Sequence, residues 1–352
     1  MNLCRLLRPS LLFVMLSGLL LAGCDATSGE SEANCEIFDA CTPTLELRLL
    51  ESDARPPANV SVLFKVDTID DEPIAGLTPG NFDIFENERL VSRFEADLSI
   101  LPKTGRFQYS IALLLDLSGS IVQSESLEPL KQAARRFVDA ILYPTTDPRS
   151  GEIELGIWWF DGQADVTLLQ PFTPDPDVLK SAIESITADL PLDNSTNLYG
   201  AVVQGTALAQ ERVLSFRQDD ILAAGTLVIF TDGTDQAART TRSAALNAVR
   251  AAADDLSFFT IGLGGEIDTP TLEEIGRNGF VSAANINELL PRFEEIGGLV
   301  RDEANSYYLL EYCSPKRSGE NNLTIRASTG DFVGILSTKF SADGFQAGCR
   351  IE

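Results

Sequence analysis

Histidine is absent from this 352-residue chain. Without imidazole there is no His-ligated zinc, no Ser-His-Asp triad and no imidazole general base, which removes the commonest hydrolytic machineries. Basic residues are scarce as well: 27 lysines and arginines stand against 52 aspartates and glutamates, a formal charge of −25. A field of that sign disfavours nucleic acid and anionic lipid surfaces as partners, and its plainest use is solubility. Beyond the first two dozen residues no apolar run is long enough to span a bilayer. A Gly-x-Gly-x-x-Gly nucleotide loop is also missing, since Gly262-Leu263-Gly264-Gly265 closes a strand pattern and reads as a turn.

What is present begins with the parts of a bacterial export signal: basic Arg5 and Arg8, apolar Leu11 to Leu16, Ser17 and Gly18, then apolar residues to Leu21. The run is too short for a stable membrane span. The following Leu21-Ala22-Gly23-Cys24 resembles a lipobox, which implies removal of residues 1–23 and acylation of Cys24. Each buried methylene contributes about 0.8 kcal/mol, so a multiply acylated cysteine holds firmly to a membrane. The expectation is a lipid-anchored protein of the bacterial envelope, exposed to the periplasm or the cell surface. Asp25 resembles an inner-membrane retention signal of enteric-type sorting, a rule that does not hold in all bacteria, so inner and outer membrane both stay open.

Cys4 would leave with the signal, and Cys35, Cys41, Cys313 and Cys349 remain. An even number in an exported chain reads as two disulfides. Of the three pairings, Cys35 with Cys41 and Cys313 with Cys349 is favoured because each pair lies within one local segment. Residues 24–44 are polar, small and acidic, the composition of a flexible tether.

Residues 45–106 show short alternating runs, such as Val60-Ser61-Val62-Leu63-Phe64-Lys65-Val66, between turn clusters. Residues 304–352 show the same, with Ser306–Tyr312, Asn322–Ala327 and Phe332–Phe340 as strands. Neither flank holds enough strands for a sandwich alone, so the two are expected to form one all-β sandwich, with Cys313–Cys349 clamping the C-terminal strands. Between them, residues 107–303 alternate strand and helix patterns. Tyr109 to Leu115 is a continuous apolar run suited to a parallel strand, and Leu127, Leu130, Ala134, Phe137, Val138 and Ile141 recur at helical spacing. The fold class expected is α/β, a doubly wound and mostly parallel sheet inserted in, or flanked by, that sandwich.

Asp116-Leu117-Ser118-Gly119-Ser120 ends the first strand of the central region and matches D-x-S-x-S. Thr196 stands on a loop before a long helical pattern, and Leu227-Val228-Ile229-Phe230-Thr231-Asp232-Gly233 places an aspartate after another buried strand. In this order the three pieces resemble the metal-ion-dependent adhesion site of von Willebrand factor type A and integrin inserted domains. The family more often has Gly-Gly before the threonine, where this chain has Asn194 and Ser195. The segment Ile74 to Asn87 also resembles the strand that precedes such domains in many bacterial proteins. The resemblance implies a metal site of Asp116, Ser118, Ser120, Thr196 and Asp232 for Mg²⁺, with Mn²⁺ or Ca²⁺ as alternatives. Three neutral hydroxyls and two carboxylates suit a hard, octahedral cation. They leave it electrophilic, with a place for an acidic side chain of a protein partner.

The expected function is therefore binding, not catalysis, since no base or charge clamp adjoins these motifs. An alternative is a structural or assembly subunit of an envelope complex in which the metal only braces loops. The carboxylates from Asp67 to Glu72 lack the glycine and distal glutamate of a calcium loop and read as a solvated turn. Trp158 and Trp159, adjacent in a strand, read as core residues on opposite faces.

Overall fold

The structure, a computed structural model, describes residues 43–351 apart from 102, 104 and 220. The export signal, Cys24, the tether up to Thr42 and the Cys35–Cys41 pair lie outside the described residues.

The N-terminal flank contributes a hairpin of β1 (Leu45–Arg55) and β2 (Asn59–Thr68), a second hairpin of β3 (Phe82–Glu86) and β4 (Arg89–Leu90), the short α1 (Arg93–Ala96) and β5 (Ser99–Leu101). The central region runs β6 (Phe107–Asp116), α2 (Gly119–Val122), α3 (Leu127–Ile141), β7 (Ile153–Phe160), β8 (Thr167–Thr173), α4 (Pro176–Glu184), α5 (Leu198–Gln218) and β9 (Leu222–Thr231). It continues with α6 (Arg242–Ala251), β10 (Leu256–Leu263), α7 (Thr269–Ile275), β11 (Gly279–Ala283) and α8 (Leu289–Asn305). The C-terminal flank adds β12 (Tyr307–Cys313), β13 (Glu320–Thr329) and β14 (Phe332–Ser341).

The central sheet has the order β11-β10-β9-β6-β7-β8, parallel throughout except for the β7–β8 pair. Its faces are apolar on both sides because alternate residues feed two cores. Ile111, Leu113 and Leu115 of β6 pack with α3, α4 and α8, whereas Ala112 and Leu114 pack with α5, α6 and α7. Trp159 joins the first layer and Trp158 the second, both buried, as their adjacency predicts. Two strands were not legible in the sequence: β8, a half-exposed edge strand interrupted by Pro171, and β11, five residues opened by Gly279. Neither carries an apolar alternation, and edge strands are where proline is tolerated. A 3-10 turn, Ile286–Glu288, leads into α8, which becomes α-helical at Leu289.

The two flanks interleave. One sheet has the order β1-β2-β12-β5 and the other β14-β13-β3-β4, so each combines strands from both ends of the chain. They enclose one core in which Phe64, Phe82 and Tyr308 meet, with the Phe64 and Phe82 rings 5.6 Å apart. The Tyr308 hydroxyl accepts from Leu77 N–H at 3.0 Å and donates to the Ile74 carbonyl at 2.8 Å, which staples the segment before β3 onto β12. The Cys313–Cys349 disulfide is formed. Cys349 lies beyond β14, so the bridge ties the C-terminal tail to the end of β12 and does not clamp strands to one another. The acidic turn after β2 is closed by the Thr68 hydroxyl, which accepts from Asp70 and Glu72 N–H.

β2 and β12 are buried on both faces. Val60, Val62, Phe64 and Val66 point into the sandwich, while Leu63, Tyr307 and Leu309 belong to the core of the central domain. Two cations seal this junction around the last turn of α8. Lys65 pairs with Glu303 at 2.9 Å and Asp67 at 2.8 Å, and Lys103 donates to the carbonyls of Ala304 and Tyr307, each at 3.2 Å. Positive charge at a helix C-terminus complements its dipole.

One buried carboxylate in the sandwich is only half satisfied. Tyr312 donates to Glu86 Oε1 at 3.0 Å, while Oε2 is buried without a partner. Burial pushes the Glu86 carboxyl above its ordinary range, against the hydroxyls of Ser314 and Tyr312. A folded-state value above the unfolded one means that stability from this group falls as pH rises out of the ordinary carboxylate range. Glu86→Gln is therefore expected to gain in melting temperature relative to wild type between pH 4 and pH 8. A difference between the two proteins that stays constant with pH would refute this.

Candidate metal centre

The site lies where the chain's connections diverge at the C-terminal edge of the central sheet. From β6 the chain moves to β7 on one side and later returns to β9 on the other, so loops leaving β6 and β9 border a crevice. Asp116 is the last residue of β6 and Asp232 follows the last residue of β9. The register pairs Leu115 with Phe230, which makes the two carboxylates neighbours.

Asp116 is fully buried, and both of its oxygens are held. Oδ1 accepts from Ser118 N–H at 2.9 Å and Oδ2 from the Thr231 hydroxyl at 2.6 Å. Ser118 Oγ lies 3.2 Å from Ser120 Oγ. The Ser120 hydroxyl also reaches the Asp232 carboxylate, yet Asp232 Oδ1 is buried with no hydrogen-bond partner. Burial first, and the charge of Asp232 second, push Asp116 up to about 7 against the Thr231 and Ser118 hydrogen bonds. Asp232 is raised as well, by burial and by the charge of Glu266.

Thr196 is buried on the loop before α5, and its carbonyl accepts from Gln236 and Ala237 N–H at 2.9 and 3.0 Å. That pairing fastens the loop after Asp232 to Thr196, and a Cβ on Gly233 would stand 3.8 Å from Thr196 Oγ1. On the other side, Gly119 N–H donates to the Asn194 carbonyl at 3.0 Å. A Cβ on Gly119 would come within 2.9 Å of Asn194 Cβ, so the close approach of these loops requires glycine there. Asn194 and Ser195, which replace the more usual Gly-Gly, need no left-handed backbone. Asn194 Oδ1 accepts from Gln123 at 2.7 Å, and the Ser195 hydroxyl donates to Asp193 at 2.8 Å.

The structure thus brings Asp116, Ser118, Ser120, Thr196 and Asp232 to one place from three loops. Their chemistry fits a divalent cation. The charge of half-buried Asp232 bears on the fully buried Asp116 carboxylate, one buried oxygen lacks any partner, and three hydroxyls stand beside them to complete an all-oxygen shell.

Asp161, which follows β7, is a residue the sequence motifs did not single out. Its buried carboxylate accepts from Gln163 N–H at 2.7 Å, Leu192 N–H at 2.8 Å and Asp193 N–H at 3.0 Å, and its carbonyl accepts from Asn197 N–H at 2.9 Å. It shapes the loop that presents Thr196. The available signal was position, since a carboxylate directly after a buried strand lies on the ligand-bearing edge of such a sheet. Thr231 stood inside the quoted motif without an assigned role, and Asp235 was missed. The first bonds Asp116, and the second accepts Tyr199 N–H at 3.0 Å and Ala238 N–H at 3.1 Å.

Residues 111–234 match the von Willebrand factor type A domain family, and all five site residues fall inside the match. The central domain has the von Willebrand type A fold, to which the two antiparallel sheets are added. A von Willebrand factor type A protein from Catenulispora acidiphila is similar at 11% identity and a TM-score of 0.45, covering 87% of this chain and 74% of that one. Proximal thread matrix protein 1 from the mussel byssus, described with a zinc-occupied MIDAS motif, is similar at 17% identity and a TM-score of 0.45. That alignment covers 56% of this chain and 48% of the mussel protein, so the chain spans about half its length. The von Willebrand domain of the type V pilus tip protein Mfa5 from Porphyromonas gingivalis is similar at 14% identity and a TM-score of 0.41, covering 55% and 95% of the two chains. None of the curated proteins compared with this sequence matches it.

Two outcomes are expected. In cation-free protein the raised Asp116 must ionise as pH rises through about 7, so stability from this group falls between pH 5.5 and pH 8.5. A divalent cation should offset that loss, raising the melting temperature more at pH 8.5 than at pH 5.5. At a hundredfold excess over Kd the gain is about 2.7 kcal/mol. An equal shift at both pH values would contradict the assignment. Asp161→Ala strands three backbone donors, at about 1–3 kcal/mol for each unsatisfied group. Calorimetric titration should then show weakened cation uptake although no oxygen of the five-residue set has changed.

Proposed function

We propose that this chain is a lipid-anchored protein of the bacterial envelope that grips an acidic residue of a protein partner through Mg²⁺ held by Asp116, Ser118, Ser120, Thr196 and Asp232. The observation that carries the reading is the partnerless, buried Oδ1 of Asp232 beside the buried carboxylate of Asp116. A cation relieves both the repulsion and the missing contact. Mg²⁺ is favoured because it takes near-octahedral oxygen ligands with one or two carboxylates and keeps waters; Mn²⁺ and Ca²⁺ accept the same donors. Since three of the five donors are neutral, a bound ion keeps positive charge to offer a ligand carboxylate.

The partner, not a substrate, is expected to meet the ion. In this reading the surrounding side chains serve to hold loops, and the chain has no histidine to act as a proton carrier. Among the described residues no helix is long and apolar enough to cross a membrane. Attachment in this reading rests on the acyl chains at Cys24.

Thr196→Ala tests the proposal, because the loop is held by the backbone carbonyl of Thr196 and the hydroxyl is free for the ion. The variant should melt within a few degrees of wild type while losing Mg²⁺-dependent capture of its partner from the envelope fraction, read by mass spectrometry with and without chelator. Equal capture by the two proteins, or capture indifferent to chelator, would falsify the adhesion reading.

A further inference from the structure

The loops around the metal centre carry a charge that the site itself does not need. Asp116 and five loops, residues 117–126, 161–166, 185–197, 232–241 and 264–268, hold ten carboxylates and one guanidinium. Four of the ten, Glu125, Asp165, Asp189 and Glu266, are solvent-exposed. Asp193 is kept ionised, held below its usual range by the Ser195 backbone N–H and hydroxyl. The single cation in these loops, Arg239, is exposed but already engaged: it donates to the Gly162 carbonyl at 2.6 Å and lies 3.8 Å from Asp193. One divalent ion neutralises only two of these charges.

A carboxylate approaching the ion must therefore cross a strongly negative rim. At physiological ionic strength the screening length is about 8 Å, comparable with the width of a loop, so salt does not erase that rim. An acidic partner surface would meet repulsion before it met the metal. Positive residues on either side of the ligand carboxylate convert the same field into attraction, which acts mainly on the rate of association.

Resting on the adhesion reading above, we infer that the partner presents its acidic residue from within a basic surface, with lysine or arginine flanking the carboxylate. The rim selects this sequence context, and the ion supplies the anchoring bond.

The test uses the full-length protein in neutral detergent and a set of short synthetic peptides. One has a central aspartate flanked by lysines, one a central aspartate flanked by glutamates, and one a central asparagine flanked by lysines. Each is measured by surface plasmon resonance with Mg²⁺ or with EDTA, at low and at high salt. The lysine-flanked aspartate should bind at least about tenfold tighter than the glutamate-flanked one, with an association rate that falls as salt rises. Asp165→Asn combined with Glu125→Gln should narrow that gap. Equal Mg²⁺-dependent binding of both aspartate peptides overturns the basic-context inference and leaves the metal reading standing. If the lysine-flanked aspartate and asparagine peptides bind alike and ignore EDTA, the basic preference stands and the metal reading falls. No binding by any peptide overturns both.

Discussion

Two carboxylates brought together, one of them fully buried, are the constraint around which this molecule is arranged. Asp116 and Asp232 reach the same crevice because β6 and β9 are hydrogen-bonded neighbours in a parallel sheet, and neighbouring parallel strands end at the same edge. Leaving the pair charged and bare is costly, and the protein spreads that cost. Thr231 and the Ser118 amide hold Asp116, Ser120 reaches Asp232, and one oxygen is left for something from outside. The loops that supply Thr196 and Gly233 are tied to one another by backbone hydrogen bonds, and Asp161 and Asp235 hold them from behind. A site built this way is stiff before any ion arrives, which is what tight coordination of a small cation requires.

Much of this was legible in the residues. Asp116-Leu117-Ser118-Gly119-Ser120, Thr196 and Asp232 announced themselves because each follows a buried apolar strand or precedes a long helix, and continuous apolar runs mark strands covered on both faces. The interleaved sandwich was legible from arithmetic, since neither flank had strands enough to close alone. What escaped was whatever depends on tertiary contact more than on pattern. β8 and β11 are short edge strands without alternation, and Asp161 sits in a loop whose spacing resembles no motif. The role of the Cys313–Cys349 bridge escaped too, because pairing follows from proximity in sequence but the elements it joins do not.

The sandwich and the central domain share more than a covalent link. Only Ser306 separates α8 from β12, and β12 is a central strand of the first antiparallel sheet. With Lys65 and Lys103 gripping the end of α8, and Leu63 and Tyr307 inside the central core, the foot of the domain is fastened to the sandwich. β6 also leaves the sandwich at its N-terminal end, whereas the metal centre lies at its C-terminal end. The sandwich and the candidate metal centre thus occupy opposite edges of one sheet, so on the proposed reading a ligand could approach the ion without displacing the sandwich.

That separation gives the acidic composition a local meaning. A uniformly negative protein would gain solubility anywhere on its surface, but on the proposed adhesion reading the carboxylates at this edge would surround an ion whose ligand is itself an anion. Each added carboxylate strengthens cation binding and weakens the approach of a bare acidic side chain, so the two effects oppose one another in any partner of uniform charge. They cease to conflict only when the ligand brings cations alongside its carboxylate. The neutral hydroxyls of Ser118, Ser120 and Thr196 then act in the same direction, because they leave the charge of the ion to the ligand while the rim engages its neighbours.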